Sequence, residues 1–99
     1  MKLWVHPASE PAPGFLPCTT PEAATTKLLG GRVEEVVLGG SLGLAVASWI
    51  ERAAYRKEVG PVRWTVARGH YLDEINTAAS MEAAELYWGV RKFEPEPMR

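Results

Sequence analysis

Glu35-Val36-Val37-Leu38-Gly39-Gly40-Ser41-Leu42-Gly43-Leu44 is the stretch that decides the fold. Its three consecutive apolar residues, Val36 to Leu38, suit a strand covered on both faces. The run breaks at Gly39-Gly40 and reopens as a helix. From Leu42 to about Lys57, the residues Leu42, Val46, Trp49, Ile50 and Ala53 recur at helical spacing on one stripe. A strand, a glycine turn and a helix in this order set backbone N–H groups at the carboxyl edge of a sheet. Open α/β sheets bind ligands there, and a helix N-terminus holds an anion without a cationic side chain. Ser41 is expected to cap this helix. Gly39-Gly40-Ser41-Leu42-Gly43 has the G-x-S-x-G spacing of a nucleophile elbow, and Ser41 is read here as the cap rather than as a nucleophile.

Working outward, Leu3-Trp4-Val5 is a short apolar strand stopped by Pro7. Residues 7 to 17 carry four prolines, at 7, 11, 13 and 17, and Gly14. This predicts a loop with at most a scrap of extended chain at Phe15-Leu16. Thr20-Pro21-Glu22 marks a helix start, with threonine as N-cap, proline at the first helical position and an acid in the first turn. Gly30-Gly31 ends that helix. The strand of the decisive stretch begins at Val33. Beyond Gly60-Pro61, Val62-Arg63-Trp64-Thr65-Val66 alternates with period two and predicts a strand with one strongly apolar face. The last helix is expected from about Asp73 to Val90, with Ile75, Ala79, Ala83, Leu86 and Val90 turned inward.

Strands alternating with helices imply a parallel sheet with right-handed crossovers. The expected fold is a small three-layer α/β domain over residues 1–93. It has a parallel sheet with the first strand central and helices on both faces, a truncated flavodoxin-like arrangement. Residues 94–99, Glu94-Pro95-Glu96-Pro97-Met98-Arg99, are expected to be a mobile tail. In this arrangement the three strand ends face one rim. They bring His6, then Gly39-Gly40-Ser41, then Arg68-Gly69-His70, and the chain has no other histidine.

The composition excludes several classes. Hydrophobic residues make up 46% and charged residues 23%, with a net charge of −1, so nothing points to nucleic acid or an anionic membrane. No apolar run approaches the ~20 residues of a membrane span, and the amino-terminal apolar stretch is too short for a signal peptide. A lone cysteine, Cys18, forms no internal disulfide and is expected to be buried and structural. Together these features favour the cytoplasm. Neither G-x-x-x-x-G-K-[ST] nor G-x-G-x-x-G is present, and no cofactor is expected.

Several motifs in order resemble the cyclic-phosphate processing receiver-like family. They are Met1-Lys2-Leu3-Trp4-Val5, Pro11-Ala12-Pro13-Gly14-Phe15, Thr20-Pro21-Glu22-Ala23-Ala24 with Leu28-Leu29, Gly31 to Leu38, Ala47-Ser48-Trp49-Ile50-Glu51 and Met81-Glu82-Ala83-Ala84. The likeness covers residues 1 to about 66 and returns briefly at Met81. It implies a receiver-like fold. The family also implies an acidic pair after the first strand, Asp-His-Asp-Leu-Gly after the second and His-Ser-x-Asn-Pro after the third. Here those positions read His6-Pro7, Gly39-Gly40-Ser41-Leu42-Gly43 and Ala67-Arg68-Gly69-His70. The acids are gone. A hard divalent ion needs several carboxylate oxygens, so no metal is expected, and no aspartyl phosphoacceptor remains.

Two functions fit these residues. The first is a non-catalytic, regulatory binding or interaction module whose acidic pocket has degenerated. Its contact surface is expected at the aromatic carboxyl-terminal end, Tyr71, Tyr87, Trp88 and Phe93, toward a protein partner or a second copy. Tyr87 and Trp88 stand about 100° apart on a helix, and if both cannot reach the core, one of them helps form this surface. The alternative is a metal-independent phosphodiesterase, or a binder, for cyclic phosphates or nucleotides. In it His6 and His70 transfer protons, Gly39, Gly40 and Ser41 cradle the phosphate, and Arg68 forks its oxygens.

Overall fold

A computed structural model describes residues 1–7 and 10–90. The elements run β1 (Lys2–Val5), β2 (Phe15–Cys18), α1 (Pro21–Leu29), β3 (Glu35–Leu38), α2 (Gly40–Tyr55), β4 (Arg63–Val66) and α3 (Tyr71–Trp88). The four strands form one parallel sheet in the order β2-β1-β3-β4. This is a small α/β fold of flavodoxin-like type. The expected tail, 94–99, and Phe93 lie outside the described residues.

One strand exceeds the expectation. Phe15–Cys18 is a full strand, in register with β1 from Lys2↔Phe15 to Val5↔Cys18. Pro17 disguised it. An edge strand tolerates proline because one of its sides makes no ladder hydrogen bonds, and β2 is at the edge.

The register sorts the sheet into two faces. Leu3, Val36 and Trp64 share one row, and Val5, Cys18, Leu38 and Val66 another on the same face. These rows, Val66 apart, join Ala24 and Leu28 of α1, Val46 and Ile50 of α2 and Met81 and Ala84 of α3 in a single core, with Trp64 packed against it. Each large side chain fully buried there contributes about 1.5–3 kcal/mol. The opposite face shows Phe15, Lys2, Glu35 and Arg63 in one row and Pro17, Trp4, Val37 and Thr65 in the next.

All three helices therefore pack on one face, where helices on both faces were expected. Right-handed crossovers explain this. The β2-to-β3 and β3-to-β4 connections move across the sheet in the same direction, so α1 and α2 share a face. The β1-to-β2 connection moves the other way and belongs on the other face, but its described residues, rich in proline, form no helix.

Helix α1 begins as its sequence predicts. The Ala23 N–H donates to Thr20 Oγ1 at 3.2 Å, and Pro21 is at the first position. The start of α2 differs from expectation: its N-cap is Gly39, and Ser41 is an exposed residue of the first turn. Helix α3 starts at Tyr71 and ends in a left-handed Gly89, where Val90 N–H bonds Glu85 O and Gly89 N–H bonds Leu86 O.

The rotation of α3 is also corrected. Thr77, Met81 and Ala84 are buried, and Trp88 packs on the core and donates its indole N–H to Val59 O at 2.6 Å. The stripe read as inward points out instead. Ile75, Leu86 and Val90 are 46%, 46% and 60% exposed, and Leu72, on the same side of the helix as Ile75, is 59% exposed. The helix carries two apolar stripes about half a turn apart, and α2 takes the one that includes the larger sulfur and indole side chains.

Candidate functional site

The strand ends meet at one rim, as the parallel register requires. Val5, Leu38 and Val66 are aligned. Gly39 N–H donates to Val5 O, and Ala67 N–H to Leu38 O, both at 2.8 Å, so the ladder runs into the turn. The described structure places His6 and Pro7 directly against Gly39 and Gly40. A Cβ on Gly39 would overlap the His6 ring at Cδ2 and lie 2.9 Å from Nε2. Gly40 has φ +63°, and a Cβ there would stand 3.2 Å from Pro7 Cγ. The two glycines thus serve two needs: space for an imidazole at the first, and a left-handed turn into α2 at the second.

His6 is half-buried, with its ring 6.3 Å from that of Trp4 and 26° from parallel. Helix α2 starts beside it with no side-chain cap and no acid in its first turn. Its first N–H groups and its positive dipole end are directed to the same rim. Gly43 packs with its Cα against the Leu38 backbone, where a Cβ would lie 2.7 Å from the Leu38 carbonyl carbon, so helix and strand approach closely at this end.

Arg68 and His70 follow β4 and are exposed. His70 is the N-cap of α3 and makes no side-chain cap bond. Glu74 reaches back instead, its Oε1 accepting the Gly69 N–H at 3.3 Å. Strand β3 lies between β1 and β4, so the ends that carry the two histidines are about 10 Å apart. A ligand that touched both would have to lie across the Gly39-Gly40 turn. His6 and the glycine turn are one site; Arg68 and His70 form its far shoulder.

The rim does not suit the divalent ion that the receiver-like resemblance brings with it. His6, Gly39 to Ser41 and Ala67 to His70 offer no carboxylate, and Glu74 is engaged with Gly69. Among the described residues no group of three or more His, Cys, Asp or Glu is placed to hold a metal. Cys18 is buried in β2, and burial pushes its thiol pKa up against the opposing pull of Lys27. That is the reverse of an activated nucleophile.

The aromatic carboxyl-terminal end divides. Trp88 turns into the core, whereas Tyr71 is exposed and Tyr87 packs edge-on to Tyr55 with ring centroids 5.2 Å apart. The sequence missed Tyr55, which shares a shallow groove of about 270 Å³ with Glu51, Arg52, Arg56 and Tyr87. Helical spacing placed Tyr55 near the end of α2, but nothing in the sequence said that α3 would lie alongside. No helix among the described residues is long and apolar enough to cross a membrane.

Comparison with known proteins finds no matching family model, no matching curated protein and no matching solved structure.

Proposed function

We propose that this chain is a non-catalytic, receiver-like binding and interaction module with a degenerate acidic pocket, acting in regulation in the cytoplasm. The observation that carries the reading is the outward stripe of α3, where Leu72, Ile75 and Leu86 stay exposed on a regular helix. Large apolar side chains aligned on one outer face are a contact surface, unlike the same residues scattered singly. The rim supports the non-catalytic half, because it has lost the carboxylates that the resembling family uses.

The test is incubation of the chain with cyclic nucleotides and with oligonucleotides ending in cyclic phosphates, followed by titration calorimetry and product analysis. No turnover is expected. Product formed with or without divalent metal would refute the reading.

A second reading is favoured by His6 against Gly39 beside an uncapped helix start. It is a metal-independent phosphodiesterase or binder for cyclic phosphates at the rim. Heat of binding that disappears in a His6→Ala, His70→Ala double variant, with the fold intact, would establish the binding form of it.

A further inference from the structure

The interaction reading leaves the partner open, and the surface of α3 has a built-in symmetry. From Leu72 the outward residues follow at Ile75, Ala79, Ala83 and Leu86, steps of three and four that keep one seam on the helix. Small residues occupy the middle, and large ones the ends. Resting on the interaction reading, we infer that α3 pairs with α3 of a second copy, antiparallel, about a two-fold axis at Ala79.

In that register residues equidistant from Ala79 meet. Leu72 faces Leu86 of the second copy, Ile75 faces Ala83, and Ala79 faces itself, so the alanines let the helices approach at the axis, Ile75 fills the space beside Ala83, and the leucines close each end. A two-fold interface is self-complementary by construction and closes without forming a fibre. The charges agree. Arg52 and Arg56 line the groove at Tyr87 near the carboxyl end of α3, together with Glu51, and Arg56 pairs with Glu58 at 4.0 Å, which leaves Arg52 as the cation this contact uses. The antiparallel register brings the first turn of the second copy's α3, with Asp73 and Glu74, to that end. A parallel pair would set these basic residues beside each other.

The area sets the strength. The exposed parts of Leu72, Ile75, Leu86, Tyr55 and Tyr87 amount to roughly 500 Å² per copy, so pairing buries roughly 1,000 Å² in total, at the lower limit of a specific interface. The pair is therefore weak and reversible, and its dissociation constant falls in the micromolar range or above.

The experiment is sedimentation velocity on the full chain from about 10 µM to about 1 mM, a span that covers weak association. The mass is expected to rise from 10.9 kDa toward twice that value. Leu86→Asp is expected to weaken the pair more than tenfold with an unchanged circular dichroism spectrum. Arg52→Glu is expected to weaken it and Asp73→Lys in the same chain to restore it, a readout independent of how Leu86→Asp folds. Under mild oxidation Ala79→Cys is expected to cross-link to itself. A monomer throughout the range overturns the inference. So does a dimer that survives Leu86→Asp and leaves Ala79→Cys uncross-linked. That last result would move the contact to another surface and leave the interaction reading standing, which only turnover in the cyclic-phosphate assay refutes.

Discussion

Replacing Gly39 by alanine probes the union of His6 and the glycine turn. The backbone at Gly39 has φ −134° and ψ 147°, which alanine adopts freely, so the change carries no conformational penalty. Its whole cost comes from the added methyl group, which would overlap His6 Cδ2 and stand 3.0 Å from Cγ. The ring is only half-buried and stacks on Trp4, so it can swing partly aside, but doing so breaks that stacking. Overpacking of this kind costs about 1–3 kcal/mol, and in a domain of this size about 2 kcal/mol lowers Tm by roughly 8–16 °C. The explanation makes a sharper demand. In a His6→Ala background the methyl meets no ring, and Gly39→Ala should then cost under about 0.5 kcal/mol. Urea unfolding of the four chains in this double-mutant cycle gives the coupling, expected at about 1–2 kcal/mol. If Gly39→Ala costs the same in both backgrounds, His6 does not occupy the space above Gly39, and the site as described does not exist.

Three further outcomes are expected. Met81→Ala should cost about 2–4 kcal/mol because Met81 is fully buried, whereas Leu86→Ala should cost under about 1 kcal/mol in dilute monomer; chemical denaturation of both settles which stripe of α3 faces α2. Thr20→Ala removes the cap acceptor for Ala23 and should cost about 1 kcal/mol, with most of it recovered by Thr20→Asn in the same unfolding assay. The Cys18 thiol is held above its ordinary value of 9.0 by burial, so above that pH the unfolded chain loses its proton before the folded chain does; stability should fall as pH rises through this range, and Cys18→Ala should flatten the fall in an otherwise matched pH series.

The sequence showed those parts of the fold where local chemistry and burial agree. Thr20-Pro21 began α1 because side chain and ring satisfy the first turn without help from elsewhere. Val36 to Leu38 marked an interior strand because both faces of β3 are covered: Leu38 by the core, and Val37, only 8% exposed, by its neighbours on the other face. What depended on distant residues was hidden. Pro17 argues against a strand until β1 is known to lie on one side of it alone. The two stripes of α3 are nearly equal in apolar content, so periodicity could not choose between them; α2 chose. Gly39 displaced Ser41 as the cap: α2 starts at the left-handed Gly40, two residues before the Leu42 start that a Ser41 cap would give. At the site, the strand ends were legible from order alone. The contact of His6 with Gly39 was not, because it depends on how far strand β1 runs relative to β3.

In chain order β1 comes before both of its neighbours, yet it lies inside the sheet. Lys2 to Val5 must wait for Phe15–Cys18 on one side and for Glu35–Leu38 on the other. Parallel strands cannot form as a hairpin, so every rung of this ladder closes a long loop of chain before it gains anything. Refolding should accordingly be slow for so small a protein, with its rate set by the meeting of β1 and β3. A fragment cut before residue 35 would leave Leu3 and Val5 on a naked strand edge. The expected product of such a cut is an aggregate seeded by the amino-terminal strand.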